Sequence, residues 1–174
     1  MPDLNLKIGF IGAGNMGQAM IGALIASDCS AASDIFVCDV VKKQTDRLAA
    51  TYGISVAAEN SILVKTCDVV IFAVKPQTIE TVLSDLKDRE VFSTASRKKI
   101  LISIAAGIPI KKLESYVYSD GDPSRKKNMP ILRVMPNTPA LVLAGVSGLC
   151  GNAFAVPEDM AVARKNSERH GHCF

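Results

Sequence analysis

The apolar run Lys7-Ile8-Gly9-Phe10-Ile11 leads directly into Gly12-Ala13-Gly14-Asn15-Met16-Gly17. A short apolar run reads as a buried strand. After it Met16, Met20, Ala23 and Leu24 recur at helical spacing, one apolar stripe on a helix that ends near Ser27-Asp28. Three glycines closing a strand and opening a helix leave few folds available, because they mark the first turn of a βαβ unit. The remaining chain repeats that rhythm. Ile35 to Cys38 reads as a strand, Lys42 to Tyr52 as a helix with Leu48 and Ala49 inward and Gly53 at its C-cap, and Ile54 to Val56 as a short strand. Asn60 to Thr66 is helical in pattern, and Asp68 to Val74 is a β-branched run stopped by Lys75-Pro76.

A helix around Ile79 to Leu86, a polar stretch from Lys87 to Lys99, the strand Ile100 to Ile104 and a helix entered through Pro109 at its first turn continue the series. Ser119 to Asn128, with Asp120-Gly121-Asp122-Pro123 and the basic trio Arg125-Lys126-Lys127, reads as a surface loop. Ile131 to Met135 is a sixth strand, Gly145 to Cys150 a candidate seventh, and Pro157 onward a frayed helix and tail. Alternating short strands and helices predict an α/β fold: a doubly wound, mostly parallel sheet in three layers, of Rossmann type.

Chain length and charge narrow the function. At 174 residues one domain is expected, and 48% hydrophobic content supports a sizeable core. A net charge of +3 from 20 basic and 17 acidic residues gives no electrostatic case for nucleic acid. Cys29, Cys38, Cys67, Cys150 and Cys173 are odd in number and far apart, which suits reduced thiols. His170, His172 and Cys173 sit in a polar tail and lack a fourth ligand, so no metal is expected. No basic region followed by a long apolar stretch opens the chain, and no 18-residue apolar run follows. A cytoplasmic protein without a membrane partner is the expectation.

Each glycine of the first turn has a physical task. Gly12 permits the tight turn, Gly14 lets the backbone approach a pyrophosphate, and Gly17 lets helix and strand pack closely. The bare amides and positive end of the helix then attract the anion. Asp39 lies 22 residues past Gly17, where an acidic side chain accepts hydrogen bonds from an adenosine ribose. By that rule NAD is favoured, although Lys42 and Lys43 could offset a 2′-phosphate, and Asp39 is also a good helix N-cap. Ala73-Val74-Lys75-Pro76 ends the fourth strand beside the point where strand order reverses. Lys75 reads equally well as a solvated side chain. Ile104-Ala105-Ala106 is similarly placed after the fifth strand. In Met135-Pro136-Asn137-Thr138-Pro139-Ala140, Asn137 and Thr138 could bind a small polar substrate or satisfy their own turn.

Taken together, Gly9 to Gly17, Ala73-Val74-Lys75-Pro76-Gln77, Ser103 to Gly107 and Arg133 to Ala140 resemble the amino-terminal domain of pyrroline-5-carboxylate reductases, over about residues 6 to 160. The resemblance implies reduction of 1-pyrroline-5-carboxylate to proline, the last step of proline biosynthesis, with NADPH or NADH. It implies that the Gly12 to Met16 turn holds the pyrophosphate, with Ile11, Gly12, Ala13, Gly14, Asn15, Met16 and Gly17 all binding the cofactor. Asn60 and Ala73 to Pro76 would contact the nucleotide, and Ile104 to Ala106 would flank the nicotinamide. It also implies a homo-oligomeric full-length protein. Where Asp39 stands, family members often carry a small hydroxyl residue that meets the 2′-phosphate. The domains expected are 1–157 for dinucleotide binding and 158–174 as a divergent tail, without the family's helical substrate and dimerisation domain. Another small-molecule dehydrogenase or a non-catalytic nucleotide-binding module are the rival readings.

Overall fold

A computed structural model of the chain describes residues 6–93, 97–118, 123–135 and 148–168. Its seven strands are β1 (Ile8–Ile11), β2 (Ile35–Cys38), β3 (Ser55–Val56), β4 (Val69–Phe72), β5 (Ile100–Ser103), β6 (Ile131–Met135) and β7 (Gly148–Gly151). They form one sheet in the order β3-β2-β1-β4-β5-β6-β7. The chain builds outward from β1 in one direction and then, from β4, in the other. The order therefore reverses between β1 and β4, where Phe10 pairs with Ile71. β1 to β6 are parallel, while β7 runs antiparallel to β6 and closes that end of the sheet. The doubly wound, mostly parallel α/β fold expected from the sequence is the one observed.

β1, β4 and β5 are buried at every position, as strands covered on both faces must be. Alternate side chains of the sheet feed two cores. On one face Phe10, Ile71, Ile102 and Leu132 meet Met20, Ile21 and Leu24 of helix α1 (Asn15–Ala26) and Leu48 of α2 (Lys42–Tyr52). On the other, Ile11, Val70, Phe72 and Leu101 meet Leu63 of α3 (Asn60–Thr66), Ile79, Leu83 and Leu86 of α4 (Pro76–Asp88), and Leu113 and Val117 of α5 (Ile110–Val117). At roughly 1.5–3 kcal/mol for each large apolar side chain fully buried, these two layers carry the fold.

Helix boundaries follow local chemistry. Gly53 ends α2 at φ 72°, a left-handed angle that favours glycine, and its N–H closes on the Ala49 carbonyl at 2.8 Å. Pro76 opens α4 at the first helical position, where a missing N–H costs nothing. Pro109 instead stands one residue earlier than expected, as the N-cap of α5.

The surface loop expected over Ser119 to Asn128 is corrected in part. Pro123–Asn128 forms a short helix, α6, which a proline start and the helix-forming basic residues favour, while 119–122 lie outside the described residues. The polar stretch Lys87 to Lys99 also hides apolar anchors. Val91 and Phe92 are 1% and 3% exposed and join the second core, after a turn in which the Val91 N–H bonds the Leu86 carbonyl at 3.0 Å. A last helix, α7 (Pro157–Glu168), packs on the first core through Ala163.

Candidate functional site

The glycine turn sits at the carboxyl end of β1, where strand order reverses and a crevice must open. Gly12 has φ 107°, and a Cβ there would lie 2.6 Å from the Ala73 carbonyl oxygen. A Cβ on Gly17 would lie 2.6 Å from the Gly12 carbonyl oxygen. These two glycines are needed by the protein itself, because three backbone segments stack without room for a methyl group. Gly14 differs. A Cβ there would meet nothing within 4 Å, and its φ of −70° is open to any residue. What makes glycine useful at that position is space kept for something else.

Gly14 caps α1, and no side chain caps the first turn, which also lacks an acidic residue. The first amides of a helix have no intrahelical acceptor, and they carry its positive end. The turn is held from outside instead. The Ala13 N–H donates to Asp39 Oδ2 at 2.6 Å, and the Val41 N–H donates to Asp39 Oδ1 at 2.8 Å. Gln18 Nε2 donates to the Ala13 carbonyl at 2.6 Å, and Arg47 in turn donates to Gln18 Oε1. Asp39 is therefore not the cap of α2, whose N-cap is Val41. Its carboxylate ties the end of β2 to the glycine turn.

Beside the turn opens a cleft of about 300 Å³ between the ends of β1, β2 and β4 and helices α3 and α4. Ile11, Gly12, Asp39, Asn60 and Val74, all named from the sequence, line it together. Ala73 to Pro76 follow along its edge: the Ala73 N–H bonds the Ile11 carbonyl at 2.8 Å, and Lys75 is the exposed N-cap of α4. Ile104, Ala105 and Ala106 lie one strand further along the same edge, outside the lining of the cleft. The Ile104 N–H reaches the Phe72 carbonyl at 3.3 Å. Asn137 and Thr138 lie outside the described residues.

Residues the sequence reading missed complete the wall. Glu59, the N-cap of α3, meets Arg89 at 2.9 Å, and Arg89 also meets Asp85 at 2.9 Å. Ser61 Oγ donates to Glu59 at 3.1 Å. The four-residue spacing of Asp85 and Arg89 was a readable helix pair; Glu59, thirty residues upstream, gave no signal. The Cys38 thiol, also in the lining, is pushed above its ordinary value by burial and then by the Asp39 and Glu59 charges. Among the described residues no group of three His, Cys, Asp or Glu could hold a metal, and His170, His172 and Cys173 lie outside them. No helix among the described residues is long and apolar enough to cross a membrane. The arrangement fits a dinucleotide: an uncapped helix end with clear space at Gly14 for a diphosphate, and a neighbouring cleft for a nucleoside.

A model of the family described as NADP oxidoreductase, coenzyme F420-dependent, matches residues 7–107. The chain belongs to this family. Within it, the resemblance to pyrroline-5-carboxylate reductases is borne out. The enzyme of that name from Methanosarcina acetivorans is 38% identical over 159 residues, covering 91% of this chain and 54% of the relative. That from Escherichia coli K12 is 38% identical over 155 residues, with 89% and 53% covered. The chain spans about half the length of the curated relatives it matches. A solved pyrroline-5-carboxylate reductase from Coxiella burnetii superposes with a TM-score of 0.82 at 29% identity, over 98% of this chain and 58% of that one. The Plasmodium falciparum reductase, solved with NADP bound, gives 0.76 at 29% identity, over 98% and 57%. A 3-hydroxyisobutyrate dehydrogenase from Mycobacterium tuberculosis, at 17% identity, shares the fold alone.

Proposed function

We propose that this chain is the cofactor-binding part of a pyrroline-5-carboxylate reductase, acting in proline biosynthesis on a small-molecule substrate. The observation that carries the reading is the empty space over Gly14 at the uncapped start of α1. It stands in a family context in which relatives of that name match nine-tenths of the chain. In this reading Gly12 to Gly17 cradle the diphosphate, Asp39 and Asn60 face the adenosine half, and Ala73 to Pro76 border the crevice. Ile104, Ala105 and Ala106 flank the nicotinamide, and Asn137 and Thr138 reach the substrate. When bound, the reduced nicotinamide would supply a hydride to the imine carbon of 1-pyrroline-5-carboxylate, whose ring nitrogen takes up a proton from solvent to give proline.

The chain's own part is positioning. Asp39 fixes the turn from outside, and Ile11 and Val74 give the base an apolar lining to lie against. Hydride transfer needs donor and acceptor held at about 3–3.5 Å. We assign turnover to the assembled homo-oligomeric enzyme, in the cytoplasm, and cofactor seating to these residues. The unit responsible is the dinucleotide-binding domain 1–157, with 158–174 a divergent tail whose helix folds back on the sheet. Titration with NADH and NADPH, followed by nicotinamide fluorescence, is the test. Saturable binding is expected, and no binding of either at about 1 mM would overturn the reading.

A further inference from the structure

We propose that the cleft selects NADH over NADPH, through the fixed carboxylate of Asp39 and through the pairing of Arg89 with Glu59 and Asp85. The inference rests on reading the cleft as the seat of the adenosine half. The two cofactors differ there by one 2′-phosphate, which adds close to two negative charges and asks for free donors or cations. Asp39 cannot swing aside to admit it. Both of its oxygens are held by main-chain N–H groups, at 2.6 Å from Ala13 and 2.8 Å from Val41. Each oxygen keeps a further lone pair, which suits the hydroxyls of an unmodified ribose.

The side chains of Val40 and Val41, in the turn that follows, offer a 2′-phosphate no donor. Val40 and Val41 carry apolar side chains, 99% and 46% exposed, and the Val41 N–H is spent on Asp39. Lys42 and Lys43 are exposed on α2 and form no part of the lining. Among the described residues that line the cleft, Arg89 is the one cation, and it is already matched. Its Nε is 2.9 Å from Asp85 and its Nη1 2.9 Å from Glu59. Two carboxylates thus hold one guanidinium, and a phosphate would have to compete with both of them for it. A relative solved with NADP bound shows that the fold itself accepts the phosphate. The preference must then come from these side chains.

The test is calorimetric titration of the chain with NADH and with NADPH at one ionic strength. NADH should bind at least about tenfold more tightly. Glu59→Gln with Asp85→Asn, which leaves Arg89 unmatched, should raise the ratio of NADPH to NADH affinity about tenfold. Asp39→Ser alone is a poorer probe, because the same carboxylate holds the turn. Circular dichroism of each variant confirms folding. Binding of NADPH as tight as NADH, or no change in the ratio in the double variant, would overturn the selection and leave the cofactor site standing. Failure of both dinucleotides to bind would remove the site and this inference with it.

Discussion

Gly14 and Gly17 stand three residues apart, yet a methyl group added to each should do opposite things. At Gly17 the new Cβ would lie 2.6 Å from the Gly12 carbonyl oxygen, and that oxygen belongs to a turn pinned by the Ala73 backbone. Neither side can yield cheaply, so overpacking of about 1–3 kcal/mol is expected for Gly17→Ala. In a domain of this size that is a fall in Tm of about 2–12 °C. At Gly14 the Cβ meets nothing within 4 Å and φ is −70°. Gly14→Ala should gain a few tenths of a kcal/mol by restricting the unfolded chain and lose a similar amount at the cap, leaving Tm within about 2 °C of the parent. Its cost should appear only with ligand. The methyl group occupies the approach to the first amides of α1, so NADH affinity should drop by about tenfold or more. Thermal unfolding with and without NADH, beside direct titration, reads both effects. A Gly14→Ala chain that binds as tightly as the parent would refute the placement of the diphosphate, and an unperturbed Gly17→Ala would refute the stacking.

Asp39→Asn should keep one accepting oxygen but turn an amide N–H toward a main-chain donor. It should therefore lose about 1–3 kcal/mol of stability by urea unfolding as well as affinity; an unchanged midpoint would show that the carboxylate does not hold the turn. The Cys67 thiol, wholly buried, is pushed by burial from 9.0 up to about 12. The unfolded chain releases that proton first, so the stability it contributes is whole below pH 9 and is lost as pH climbs toward 12. Cys67→Ala should flatten the alkaline fall in stability relative to the parent, and identical pH profiles would reject the assignment.

Much of this fold was legible because its signals are local. The β1 run, the glycine spacing and the stripe Met16, Met20, Ala23, Leu24 each lie within a dozen residues, and α2 and α3 begin and end where pattern and caps place them. What was hidden depends on distant chain. Val91 and Phe92 sit among charged neighbours, so no periodicity marks them, and only packing into the second core buries them. The strand β7 has two glycines in four residues and no alternation, so its antiparallel direction has no local signature. At the site, Asp39 was placed correctly in the chain, but its partner was legible only as ribose or helix cap. The bond to Ala13 requires β1 and β2 to lie side by side. Arg89 and Glu59 meet for the same reason, through the packing of α3 on α4.

β1 and β4 lie at the middle of the sheet, hydrogen-bonded on both sides, with Phe10 and Val70 wholly buried. Their amides should exchange with deuterated water only when the whole domain opens, whereas the exposed outer strand β7 exchanges through local fraying. A ligand that grips the ends of those two strands therefore writes its affinity into their protons. At a hundred times its dissociation constant it would deepen the fold by about 2.7 kcal/mol and slow exchange at Phe10 and Val70 roughly a hundredfold, with little change at Leu149. The innermost amides thus serve as a built-in gauge of occupancy at the rim.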